Sequence, residues 1–232
     1  MNITLEGRTV SIKIDKKNRK TISIKINNSG EVIVSAPLYL SSERIKELLK
    51  VKSKWIIEKL ELITNNKQKD NPLESIKFLG SNYKVKIYEE KGNSIKVRLK
   101  EDEFQVYAPI EGNNLEPHII ETIIKWYKEQ AALIYKERVE YYSKILKVHP
   151  QKITIKEQKT RWGSCSSKGN LNFNWKVVMA PIEVVNYLVV HELCHLLQMN
   201  HSKDFWDLVE SVMPDFNKYR QWLKLNGNSL VF

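Results

Sequence analysis

Apolar and polar residues alternate in short runs through the first half of the chain, in Val10-Ser11-Ile12-Lys13-Ile14, Ser23-Ile24-Lys25-Ile26 and Val32-Ile33-Val34-Ser35-Ala36. A period of two predicts half-buried β-strands, with the alternating lysines on the wet face. The same series returns further on, in Tyr83-Lys84-Val85-Lys86-Ile87, Ser94-Ile95-Lys96-Val97 and Phe104-Gln105-Val106-Tyr107-Ala108, each copy being preceded by a glycine, Gly7 or Gly80. A helical period follows each copy, carrying Lys54-Trp55 in the first and Lys125-Trp126 in the second. The four elements are offset by 73, 71, 72 and 71 residues. So constant a register marks an internal repeat.

Each copy is predicted to be an antiparallel meander with turns such as Asn27-Asn28-Ser29-Gly30, closed by an amphipathic helix. The first helix is expected from Ser42 to about Leu60, capped by Ser41 or Ser42. The second is expected from about Leu115 to Leu146, bent or broken. Trp55 and Trp126 hold matched places on these helices, which makes them repeated core anchors rather than base-stacking residues. The polar segment from Thr64 to Pro72 reads as a linker. Domain bounds of 1–71, 72–146 and 147–232 follow, in an α+β chain.

The pattern changes beyond residue 147. Strand-like Lys152-Ile153-Thr154-Ile155-Lys156 precedes a stretch of unusual composition from Lys159 to Trp175, in which Gly163 and Lys168-Gly169 mark turns within a hairpin. The hairpin feeds Val177-Val178-Met179-Ala180-Pro181. A helix is then expected, with Pro181 at its start, apolar residues at Ile182, Val185, Leu188, Val189, Leu193, Leu196 and Leu197, and an end near Met199-Asn200 with Asn200 as a left-handed cap. Ser202 is a fitting N-cap for a further helix over Lys203 to Val212.

His191 and His195 stand four apart on the predicted helix, so their imidazoles can be directed at one point. Glu192, about 100° around the helix, lies beside that point without being a ligand. A tetrahedral catalytic zinc uses three protein ligands and leaves the fourth place to water, and a neighbouring carboxylate can take that water's proton. His201 is placed to be the third ligand after a short return of the chain. A carboxylate at Asp207 or Glu210 is the alternative. Cys194 points away from the two imidazoles and reads as a packed residue; Cys165 lacks an evident base, and His118 and His149 lack a partner at a telling spacing. Arg161 is equally a candidate for binding a substrate carboxylate or carbonyl and for a structural ion pair. A strand at the edge of a sheet by the cleft could hold an extended peptide.

Composition changes this picture little. The 232 residues are 42% apolar, enough for real cores. Neither an apolar leader nor a run of about 18 apolar residues occurs, which predicts a soluble, unprocessed chain without a membrane role. Two cysteines, Cys165 and Cys194, predict reduced thiols and a cytoplasmic setting. Of the net charge of +11, +8 lies in residues 1–150. This basic part can be a solvated scaffold face, or it can attract nucleic acid or acidic proteins. A non-catalytic, zinc-stabilised module binding nucleic acid or protein is therefore the rival reading, alongside hydrolysis of a non-peptide amide.

Arg161-Trp162-Gly163-Ser164-Cys165, Asn170-Leu171-Asn172, Ala180-Pro181, His191-Glu192-Leu193-Cys194-His195 and Asn200-His201-Ser202 with Phe205-Trp206 together resemble the YgjP-like metallopeptidase domain. The histidine spacing is also similar to that of SprT-like proteases, which cut proteins crosslinked to DNA. The resemblance implies a zincin-type peptidase core for residues 147–232, with Zn²⁺ on His191, His195 and His201, Glu192 as general base and a peptide or protein substrate. Arg161 and Trp162 are the candidate substrate-binding residues.

Overall fold

A computed structural model of the chain describes residues 1–27, 30–67, 72–109, 114–158, 160–230 and 232, with backbone alone for 62–67. The expected turn residues Asn28 and Ser29, and residues 68–71 of the expected linker, lie outside the described residues. Two compact units divide the chain, Met1–Lys69 and Asp70–Phe232.

The first unit comprises β1 (Asn2–Leu5), β2 (Arg8–Lys17), β3 (Ser23–Ile26), β4 (Val32–Pro37), α1 (Ser42–Val51) and α2 (Ser53–Lys67). Its strands are ordered β1-β2-β4-β3. The second unit opens with β5 (Ser75–Phe78), β6 (Ser81–Glu90), β7 (Lys96–Lys100) and β8 (Glu103–Pro109), ordered β5-β6-β8-β7. One topology thus occurs twice. Glu6-Gly7 and Leu79-Gly80 both have positive φ, 46° and 77° in the first pair and 48° and 85° in the second. Two such residues make the tight turn that joins antiparallel strands, which is why a glycine opens each copy.

Neither sheet is the antiparallel meander expected from the alternation. β2 pairs with β4 in parallel, Ile12 opposite Val32, and β6 pairs with β8 in parallel, Ile87 opposite Val106. Val32, Val34 and Ala36 are wholly buried, whereas β3 is only half-buried, so the more apolar later strand takes the central place. Alternation encodes which face is buried and not which strand is the neighbour.

The first unit's helix is also two helices. Ser41 Oγ accepts from the Arg44 amide 3.2 Å away and starts α1 as expected, but the chain breaks at Lys52, and the Ser53 hydroxyl donates to the Glu6 carboxylate in the first turn. Trp55 is 41% exposed and is not part of the core. Ile45, Leu49 and Ile56 form the core against the sheet instead.

In the second unit α3 (Leu115–Leu146) is one unbroken helix of 32 residues, about 48 Å long, rather than a bent or broken one. Its single proline, Pro117, lies in the first turn, where a missing amide hydrogen costs nothing. Trp126 packs on Phe104 and Phe78, with ring centroids 4.9 and 5.0 Å apart, and Tyr135 stacks on Phe173 at 4.3 Å. The helix therefore joins the second sheet to the remaining elements. These are β9 (Lys152–Lys156), β10 (Gly163–Cys165), β11 (Asn170–Asn174), a 3-10 turn over Trp175–Met179, α4 (Ile182–Cys194), α5 (Lys203–Val212) and α6 (Phe216–Asn226). The third sheet is ordered β10-β11-β9, with β10 at an edge. No described helix is long and apolar enough to cross a membrane.

Candidate active site

α4 lies at the centre of the second unit because its sequence is apolar on nearly every side: Val184, Val185, Leu188, Val189, Val190 and Leu193 are all buried. Pro181 precedes it with extended ψ. The helix ends at Cys194, earlier than the expected Met199-Asn200, because the Leu193 and Cys194 carbonyls are taken by the amides of Leu196, Leu197 and Gln198. His195 nonetheless keeps right-handed helical geometry, φ −65° and ψ −17°, so the four-residue spacing from His191 still sets both rings on one side. Asn200 does not act as a left-handed cap. Its side-chain oxygen accepts from the Ser202 amide at 3.0 Å, closing the turn that returns the chain into α5.

This return brings His201 to the other two histidines. Ring nitrogens of His191, His195 and His201 all lie within 4.8 Å of one another, and they are the one such group of potential metal ligands among the described residues. His191 Nε2 and His201 Nε2 are 3.0 Å apart. Asp207 and Glu210 are exposed on α5 and stand outside the group. His195 Nδ1 lies 3.1 Å from the Gln198 carbonyl oxygen, to which it can donate a proton, fixing the tautomer that leaves Nε2 as a ligand. Phe205 is fully buried beneath the three rings, 5.0, 4.6 and 4.8 Å from His191, His195 and His201, and Trp206 stacks on His201 at 5.6 Å. Burial, then the neighbouring histidines, push His191 down to about 3, and burial lowers His195. Both rings are neutral at pH 7, the form in which imidazole binds metals.

Glu192 is 4% exposed, and its Oε2 has no hydrogen-bond partner among the described residues. Burial raises its carboxyl to about 8, against a smaller opposing pull from Arg161. Such a group gains or loses a proton near neutral pH, as acid–base work requires. Gly163 explains how so large a side chain fits beside β10: a β-carbon there would stand 2.5 Å from Glu192 Oε1 and 2.9 Å from its Cδ. Gly227 is packed in the same way against Trp162, 2.7 Å from ring to ideal β-carbon. Trp162 and Gly163 form one wall of a pocket of about 310 Å³ that reaches His191 and Glu192, with Tyr187 on another side.

The structure thus gathers His191, Glu192, His195, His201 and Trp162 in one place. Arg161 is exposed at its margin, near enough to act on Glu192. Cys194 is buried, with its thiol pushed up to about 12 by burial, and His118 and His149 are exposed away from the site. The part of Gly163, Gly227 and Phe205 was not read from the sequence. Their only signal was glycine or aromatic character beside the histidine motif, which does not say what approaches what.

A family model described as YgjP-like, metallopeptidase domain, matches residues 20–226. No curated protein matches the chain significantly. Among solved structures the chain is similar to the metallopeptidase zymogen of Pyrococcus abyssi abylysin, with 29% identity over 39% of this chain and 94% of that one and a TM-score of 0.36.

Proposed function

The chain belongs to the YgjP-like metallopeptidase family, and from that premise we propose that it is a zinc-dependent peptidase in which Glu192 is the general base. The observation that carries this reading is the convergence of three imidazoles beside a buried, unpaired carboxylate.

The donor set fits Zn²⁺. Two ligands each about 2.0–2.1 Å from one tetrahedral ion lie roughly 3.3 Å apart, and the 3.0 Å between His191 Nε2 and His201 Nε2 is close to that. Three imidazole nitrogens leave a position open, whereas structural zinc is more often closed by four ligands, commonly cysteines. That favours catalysis over a merely stabilising metal. When bound, Zn²⁺ would acidify a water and polarise a carbonyl.

Glu192 takes a proton from the attacking water and holds it on a carboxyl that burial already makes basic. It then gives that proton to the leaving amine. Gly163 leaves room for this carboxyl to stay beside α4, and Phe205 keeps the imidazoles from turning. β10 is the edge strand of its sheet among the described residues, and its Gly163 lies against Glu192, which suits a substrate chain lying extended along it.

Zinc content and cleavage of a mixed peptide library, measured on the wild type and on Glu192→Gln, test the reading. Zinc retained with cleavage lost is expected. Equal cleavage by both proteins would overturn it.

A further inference from the structure

The pocket beside His191 and Glu192 has apolar walls, Trp162, Leu188 and Leu223, and two cations, Arg220 and Lys224. Positions 220, 223 and 224 share one face of α6, so this helix supplies both the cations and the apolar contact between them. We propose that Arg220, helped by Lys224, determines specificity by binding a carboxylate of the substrate next to the bond that is cut. The proposal rests on the peptidase reading of the site.

Arg220 is held in place without an acidic partner. Its guanidinium lies over the Trp206 ring, 4.3 Å from the centroid, and Trp206 in turn stacks on Phe216 at 5.3 Å and 15°. Among the described residues neither Arg220 nor Lys224 has a carboxylate in ion-pair reach, although Lys144, Lys176 and several other cations of the chain do. Stacking fixes the plane of the guanidinium while leaving its N–H donors free, as bidentate recognition of a carboxylate needs.

Its location favours an anion. Two cations line the pocket beside His191, and an anionic ligand offsets their mutual repulsion. Among the described residues the only carboxyl lining the pocket is that of Glu192, which is buried and makes no ion pair with Arg220 or Lys224. A carboxylate on a short aliphatic stem meets both features of the cavity, its stem against Trp162 and Leu223 and its charge against Arg220. A glutamate or aspartate side chain and the carboxyl terminus of a peptide both present this chemistry.

A scanning set of labelled peptides separates the two sources. One arm carries Glu at successive positions with an amidated end, a second carries Gln at the same positions with an amidated end, and a third carries Gln with a free carboxyl terminus. The zinc-loaded wild type is expected to prefer one carboxylate arm over the amide arm by about 10–100-fold in kcat/KM, the range of a charged hydrogen bond. The favoured arm identifies the source. Arg220→Met should lose this preference, its kcat/KM falling about 10-fold or more further on the favoured carboxylate arm than on the amide arm; Lys224→Met should lose less. A wild type without preference, or an Arg220→Met variant slowed equally on all three arms, overturns the proposal. If the wild type cleaves no peptide, the peptidase reading fails, and fluorescence anisotropy of the same peptides then decides the pocket by itself. Carboxylate-dependent binding abolished in Arg220→Met supports it, and binding indifferent to the carboxylate overturns it.

Discussion

Replacing Glu192 by Gln in the zinc-free protein should make the fold less sensitive to alkali, by an amount that the buried carboxyl sets. An unfolded glutamate titrates near 4.5 and the folded one near 8, so between these values the native state holds a proton that the unfolded state has lost. Stability contributed by this group is complete below pH 4.5 and falls as pH rises toward 8. At about 1.36 kcal/mol per pH unit, and with both titrations incomplete at the ends of the interval, going from about pH 5 to about pH 7.5 costs the wild type about 3 kcal/mol that the Glu192→Gln variant does not lose. His191 works in the opposite direction, since its depressed folded value makes stability rise from pH 3 to 6.5, but both proteins contain it and it cancels in the difference. Urea unfolding of chelator-treated protein, followed in the second unit at both pH values, measures the gap. The variant's advantage should grow by about 3 kcal/mol, or roughly 6–12 °C in Tm for a unit of this size. Saturating Zn²⁺ should shrink it, because a nearby cation favours the ionised carboxyl. A gap that is the same at both pH values would refute the claim that burial governs Glu192.

Gly163→Ala places a methyl group 2.5 Å from Glu192 Oε1 and must displace it; peptidase kcat/KM should fall about 100-fold with zinc retained, and an unchanged rate would show that the glycine is dispensable. His201→Ala should weaken zinc binding by more than about 100-fold in competition with a chromophoric chelator, whereas an equal loss in Asp207→Ala or Glu210→Ala would reassign the third ligand. Trp126→Ala should cost about 3–5 kcal/mol in urea unfolding, and Trp55→Ala less than about 1 kcal/mol, although the repeat sets the two residues in matching places. Comparable costs would mean that the exposure of Trp55 misleads.

Much of the site was legible because its chemistry is local. A single turn of helix carries His191, Glu192 and His195, and a short return carries His201, so spacing along the chain approximates distance in space. Arg220 enters the same pocket from a helix 25 residues beyond His195, where nothing in the pattern of α6 distinguishes it from an exposed arginine. The strands were legible for a similar reason, since alternation is a property of each strand alone. Parallel pairing of β2 with β4 is decided by competition among strands for the central place, and no single strand records it. The break at Lys52 was invisible because no glycine or proline marks it; a contact between Ser53 and Glu6, 47 residues away, accompanies it.

Leu79 and Gly80 do more than turn the chain between β5 and β6. Their amides donate to the carbonyls of Val178 and Met179, at 2.8 and 3.3 Å, and Gly80 is so close to Pro181 that a β-carbon would stand 3.0 Å from its Cα. The corresponding turn of the first sheet, Glu6-Gly7, has open space where that contact would be. The turn between β5 and β6 is thus the footing on which the histidine-bearing helix starts. For anyone recombining such chains, a cut between residues 80 and 178 parts that turn from the carbonyls that hold it.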